Sequence, residues 1–175
     1  HTRLVRDWSS DVCSSDLNSL LGRYEEKFQV YSWTIFRLLT ASMFMTHGYA
    51  KLFGENPQPF TGGGMTSINI GEVISFPLPG GINALFIAGL IEFFVGLMIF
   101  VGFRTRLAAL VTMLEMTIAY LIAHLAWFPT LNGGELAGMY FVAFMVILAA
   151  GAGPFSVDAW LAKRAQQKTR PASGD

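Results

Sequence analysis

Six ionisable side chains interrupt long apolar runs in this 175-residue chain: Arg37, His47, Lys51, Glu92, Glu115 and His124. A charge among aliphatic neighbours is costly, so such groups mark ligand pockets, proton relays or buried ion pairs. Imidazole and carboxyl groups can give and take protons near neutral pH. A guanidinium or an ammonium can hold a carboxylate or polarise a bound head group. With Tyr120 and Glu135, the residues His47, Lys51 and His124 suggest a polar pocket at one end of a set of helices. Arg37 and Glu92 are natural partners for a buried charge pair. That pair can serve as structural glue between helices, or it can polarise a ligand or pass protons.

Each residue also has a plainer reading. Lys51 can snorkel to a membrane surface. Glu115 can face a neighbouring helix or a subunit contact, or carry a proton. Two histidines at similar depth permit a bis-histidine haem, although paired histidines are far more often hydrogen-bonded partners. No third ligand has the spacing that zinc requires, so no metal is expected. The single cysteine, Cys13, lies in Asp7 to Leu17 (Asp-Trp-Ser-Ser-Asp-Val-Cys-Ser-Ser-Asp-Leu), a string that resembles the in-frame translation of a common sequencing-library adapter. Residues 1–17 are therefore set aside as non-native, with a few native residues expected to be missing before residue 18. Disulfide and thiolate chemistry go with them.

The elements that must position these groups are apolar helices. Hydrophobic residues make up 53% of the chain and charged residues only 14%, against about a quarter charged in a soluble domain. The formal net charge is zero, and no basic patch points to nucleic acid. A helix crossing about 30 Å of hydrocarbon needs roughly 20 mainly apolar residues. Residues 31–53, 82–103, 107–128 and the shorter 136–150 meet or approach that length. The fold class expected is all-α, a polytopic membrane protein with a four-transmembrane-helix bundle over residues 18–162. Residues 163–175 read as a disordered cytoplasmic tail. The first apolar block is too long, and too charged in its middle, for a cleavable signal peptide.

Lys and Arg give the orientation. Arg23 and Lys27 precede the first span, Arg104 and Arg106 fill the second turn, and Lys163, Arg164, Lys168 and Arg170 follow the fourth. Glu55 to Gly81 and Pro129 to Glu135 contain neither residue. Both termini are thus expected in the cytoplasm. Within the long first loop, Met65 to Phe76 reads as a short interfacial helix, on the bilayer or over the outer mouth of the bundle.

At 100° per residue, Arg37, Ala41, Phe44, Gly48 and Lys51 form one narrow stripe, with His47 at its edge. Gly89, Glu92 and Gly96 share a face whose small residues admit a close neighbour. On the third helix Thr117, Tyr120 and His124 lie nearly opposite Thr112 and Glu115. On a straight helix Glu115 and His124 cannot line one cavity, and the His124 face is expected to be the inner one.

Several of these segments, in this order, resemble the DoxX family of small bacterial membrane proteins. The segments are Phe36-Arg37-Leu38-Leu39, His47 to Leu52, Ala88 to Glu92 with Gly96, Gly102 to Arg106, Ala123-His124, Asn132 to Glu135, and Gly151 to Asp158. The likeness covers about residues 28–162; Glu115 is not among its expected features. It implies a four-helix protein of the bacterial inner membrane. It also implies a link to quinone-dependent redox or oxidative-stress systems, because the family name traces to a subunit of a thiosulfate:quinone oxidoreductase. No catalytic residues carry over, and whether the protein is an enzyme is left open.

Three functions follow from these readings. The first is a membrane subunit or accessory of a quinone-linked redox system, with a quinone as the candidate cofactor and electrons supplied by a redox partner protein. The second is a non-catalytic scaffold that stabilises a partner complex. The third is a small-solute or proton transporter, which four helices would serve best as a homo-oligomer. The lipid bilayer is the partner common to all three.

Overall fold

A computed structural model of the chain describes residues 4–70 and 74–169. The protein is mostly helical. Helix α1 (Leu4–Phe53) is followed by a two-stranded hairpin, β1 (Ser67–Ile70) and β2 (Ile74–Pro77). Then come α2 (Ala84–Val101), α3 (Thr105–Ala123), α4 (Glu135–Ala150) and α5 (Val157–Thr169). Helices α2 and α3 are each long and apolar enough to cross a membrane, and α4 is a shorter apolar helix of 16 residues. The 50 residues of α1 extend about 75 Å at about 1.5 Å per residue, so only part of it can lie within a bilayer. Residues 4–17, set aside above, supply its first turns.

Packing follows the stripes. On α1 the buried residues are Arg37, Ala41, Phe44 and Gly48, and Lys51 is half-buried. This stripe lies against α2, with Met45 beside Gly96, Gly48 beside Glu92 and Phe93, and Leu52 beside Gly89. Helix α1 packs along the whole length of α2, and α3 pairs extensively with α4. One core runs through all four, around Ala41, Phe44, Ile99, Ala108, Met116, Tyr140, Phe144 and Ile147. The Phe44 ring stands edge-on to Phe144 at 4.7 Å and tilted against Tyr140 at 5.1 Å. Facing outward are apolar side chains such as Leu39, Met43, Phe94, Leu114, Ile118 and Met139. An apolar face pointing away from the core is what a lipid solvent calls for.

Contact between α1 and α2 depends on glycine. A Cβ on Gly48 would lie 2.5 Å from the Phe93 amide nitrogen and 2.8 Å from the Gly89 carbonyl oxygen. Both are backbone atoms, so relief requires the helices to separate. Gly48→Ala is expected to cost at least about 2 kcal/mol, read as a lowered midpoint of unfolding in detergent. An unchanged midpoint would mean that the two helices do not approach this closely.

Two expectations are corrected here. Met65 to Phe76 does not form an interfacial helix. It enters a hairpin in which Ser67 pairs with Pro77, Ile68 with Phe76 and Asn69 with Ser75. Alternation of Ile68 and Ile70 with polar neighbours, and of Ile74 with Phe76, suits period-two pairing. Nor is the chain from residue 163 onward a disordered tail as far as Thr169, because α5 runs through it. Its start is capped: the Ser156 hydroxyl accepts a hydrogen bond from the Ala159 amide at 3.1 Å, the role Ser favours before a helix. Residues 170–175 lie outside the described residues.

Candidate functional site

The charged groups sort themselves to the two ends of the bundle. Near the α2–α3 turn, Arg37 is 1% exposed. Its Nη1 donates to the carbonyls of Ile99 and Phe100, both at 2.7 Å, and its Nη2 to that of Phe155 at 2.6 Å. The last carbonyls of a helix have no partner within the helix, and the C-terminus carries partial negative charge. Arg37 therefore caps α2 from the side. It does not pair with Glu92, contrary to the expectation from sequence.

Asp158 makes the matching contact at the start of α3. Its carboxylate accepts from the Arg104 amide at 2.8 Å, and from the Thr105 amide and hydroxyl at 3.0 Å each. Arg104 adopts a left-handed conformation, φ 44°, and this cap holds it there. Burial alone would raise the Asp158 carboxyl. The hydrogen bonds from Thr105 and Arg104, with the Arg104 charge, outweigh burial and hold it below the ordinary range. A carboxyl lowered by folding adds stability that is present above its unfolded value, about 3.9. That stability is lost as pH falls through the folded value. Asp158→Ala is expected to cost about 1–2 kcal/mol at neutral pH and to flatten the acid-side loss of stability. A melting series from pH 6 to pH 2 that stays parallel for both proteins would contradict this.

At the other end lies a cavity of ≈ 310 Å³, within the range of small-ligand sites. Helix α1 contributes Phe44, His47 and Lys51, and α2 contributes Ala84, Leu85, Ala88 and Glu92. Glu115, Met116, Ile118, Ala119, Ile122 and Ala123 come from α3, followed by His124, and Leu136, Ala137 and Tyr140 come from α4. Met65, just before the hairpin, closes one side. Lys51 Nζ and Glu92 Oε1 form a short ion pair in which the Lys51 side chain is 29% exposed and that of Glu92 6%. Glu92 sits in a π-helical turn, Ile91–Val95, where the Gly96 amide returns to the Ile91 carbonyl. Such turns recur at functional sites, and nothing in Ile-Glu-Phe-Phe-Val announces one.

The remaining polar atoms are unspent. Both carboxyl oxygens of Glu115, Glu92 Oε2 and the Tyr140 hydroxyl are buried and lack a hydrogen-bond partner among the described residues. His47 stands edge-on to the Tyr140 ring at 5.9 Å. His124 Nδ1 lies 2.9 Å from the Asn132 carbonyl oxygen, leaving its other ring nitrogen uncommitted. Among the described residues no three His, Cys, Asp or Glu side chains form a group able to hold a metal.

The expected pocket is thus partly assembled and partly redrawn. His47, Lys51 and His124 line one cavity. Tyr120 does not: its hydroxyl donates to the Ala126 carbonyl at 2.8 Å and fixes the turn after α3. Glu135 is exposed in the first turn of α4 and does not line the cavity either. Glu115 and His124 do share it, contrary to the straight-helix argument, because α3 ends at Ala123. His124 has left helical geometry, φ −133° and ψ 23°, so its direction no longer follows the 100° step. The buried face of α3 is Thr105, Ala108, Ala109, Thr112, Glu115 and Met116, not the His124 face.

Two residues went unnoticed in the sequence. Tyr140 is the only polar side chain of α4 after Glu135, and a lone hydroxyl in an apolar helix is a usable signal. Asn83, fully buried, accepts from the Met65 and Leu85 amides at 3.0 Å each and donates to Gln58 Oε1 and the Pro59 carbonyl at 3.1 Å each. It ties the long loop to the start of α2 and holds Met65 at the cavity wall; an asparagine before a helix signals the cap alone.

Residues 32–125 match the family model described as DoxX. An uncharacterized protein of Haemophilus influenzae is 36% identical over 138 residues, 76% of this chain and 92% of that relative. No solved structure matches. The family match takes in Arg37, His47, Lys51, Glu92, Glu115 and His124. It stops before Tyr140 and Asp158.

Proposed function

The chain belongs to the DoxX family, and on that premise we propose a four-span protein of the bacterial inner membrane that binds a quinone and serves a quinone-linked redox system. The later part of α1, with α2, α3 and α4, forms the spans. The Lys and Arg residues after α4 and in the α2–α3 turn support an orientation with the Arg37 end and both termini in the cytoplasm. The cavity then opens toward the outer half of the bilayer.

One observation carries the ligand class: four buried polar atoms, on Glu115, Glu92 and Tyr140, are unpartnered among the described residues, and all three residues line a single apolar-walled cavity. Buried polar atoms without partners are costly, so a ligand that satisfies them is held there. A quinone presents carbonyl acceptors on a flat apolar ring, and its quinol presents hydroxyl donors. The Tyr140 hydroxyl and the histidines can donate to the carbonyls; the carboxylates can accept from the hydroxyls. Converting quinone to quinol takes up two electrons and two protons. A redox partner protein supplies the electrons, and Glu115, His47 and His124 can hold or deliver protons at the ring oxygens.

The test is native mass spectrometry with an absorbance spectrum on protein purified gently from quinone-containing membranes. Quinone is expected to co-purify, and His124→Ala or Glu115→Leu is expected to weaken its retention about tenfold or more, the scale of one or two buried hydrogen bonds. Equal quinone in the variants would sink the assignment. Phospholipid alone in the wild type would favour the scaffold reading.

A further inference from the structure

Helix α5 is held to the bundle at its start. Ser156 caps it, the Asp158 amide donates to the Gly102 carbonyl at 2.9 Å, and the Asp158 carboxylate binds the α2–α3 turn. Among the described residues, α5 packs extensively against no other helix. Its side chains nevertheless have a clear polarity. Trp160 is 50% exposed and Leu161 42%. At 100° per residue, Trp160, Leu161, Arg164 and Lys168 fall within about a third of the helix circumference. The Arg164 guanidinium lies 3.9 Å from the Trp160 ring centroid, and Lys163 flanks the same group. The opposite side carries Ala159, Ala162 and Gln166, and no acidic residue follows Asp158 in the helix.

From this arrangement we infer that α5 is an interfacial helix that binds an anionic lipid surface. The Trp160 ring and Leu161 sit at headgroup depth, and Lys163, Arg164 and Lys168 lie against the phosphates. Three points select a lipid surface over a protein partner. The Asp158 contacts fix α5 at the ends of α2 and α3, where a bilayer surface lies if those helices cross. The exposed apolar surface, one indole and one leucine, suits a shallow lipid contact and is small for a protein interface. All three charges of the helix beyond its first turn are positive, and indole rings beside cations favour the interface. Each cation near an anionic surface contributes about 1 kcal/mol, roughly fivefold in partitioning.

The inference rests on the membrane reading and is independent of quinone binding. To test it, the full chain carrying Cys13→Ser and Leu161→Cys is labelled with a solvatochromic dye. It is then reconstituted in vesicles of phosphatidylcholine alone or mixed with phosphatidylglycerol. A blue-shifted emission is expected with phosphatidylglycerol, reversed by salt and lost in Lys163→Gln/Arg164→Gln/Lys168→Gln. A dye at Leu114→Cys, on the outward face of α3, should be blue in both vesicles and reports that the bundle has inserted. Water-like emission at position 161 in both vesicles, with position 114 blue, overturns the proposal and leaves a protein partner as the occupant. Water-like emission at both positions would instead refute the membrane reading itself.

Discussion

Arg37→Ala is expected to lower the stability of the bundle by about 3–5 kcal/mol, the scale of stripping a buried charge from its partners. The guanidinium satisfies three carbonyls from two separate segments, Ile99 and Phe100 at the end of α2 and Phe155 before α5. Removal takes the side-chain donor from all three, leaves Ile99 with only the Gly102 amide, and loosens the α2 end from the start of α5, where the Asp158 amide bond to Gly102 remains. Gly102 belongs to the same construction, since a Cβ there would meet Arg37 Nη1 at 2.7 Å and Ser156 Cβ at 2.4 Å. Lysine cannot reproduce the planar fork, so Arg37→Lys should fall between the wild type and Arg37→Ala. Unfolding of the purified protein in detergent, titrated with a denaturing surfactant, gives the comparison. A loss below about 1 kcal/mol for Arg37→Ala would show that the carbonyls find other partners.

The second large effect is an asymmetry within the Lys51–Glu92 pair. Lys51→Met is expected to cost about 3–5 kcal/mol, because it leaves the Glu92 carboxylate buried and unpaired in a cavity that also holds Glu115. Glu92→Gln should cost less, about 1–2 kcal/mol. Lys51 lies in the last turn of α1, its side chain is 29% exposed, and its flexible stem can carry the ammonium toward water. The double variant Lys51→Met/Glu92→Leu removes both charges and should be more stable than Lys51→Met alone. Equal losses for the two single variants, or a double variant no more stable than Lys51→Met alone, would overturn this asymmetry. The same four proteins also test the ligand reading, since Glu92→Gln keeps a hydrogen-bonding side chain at the cavity wall and Glu92→Leu does not.

The sequence by itself determined the helical class, the faces of the helices and the stock of polar groups. Burial is periodic, and a 100° step carries it: Arg37, Ala41, Phe44 and Gly48 could be read as one inward stripe of α1, and Gly89, Glu92 and Gly96 as the face that receives a close neighbour. Only the tertiary structure decided which charge meets which. Arg37 and Lys51 are about 21 Å apart along α1 at about 1.5 Å per residue, so they cannot share Glu92. The depth at which α2 lies against α1 makes the choice. That depth depends on the Asn83 tie and on Gly48 meeting Glu92 and Phe93, long-range contacts that no local period contains. The end of α3 gives the same lesson. Whether His124 joins Glu115 depends on the helix stopping at Ala123, and that stop is fixed by Tyr120 bonding Ala126 and His124 meeting Asn132. Periodicity reports direction around a helix axis. Position along that axis, and the point where the axis ends, are set by contacts between segments far apart in the chain.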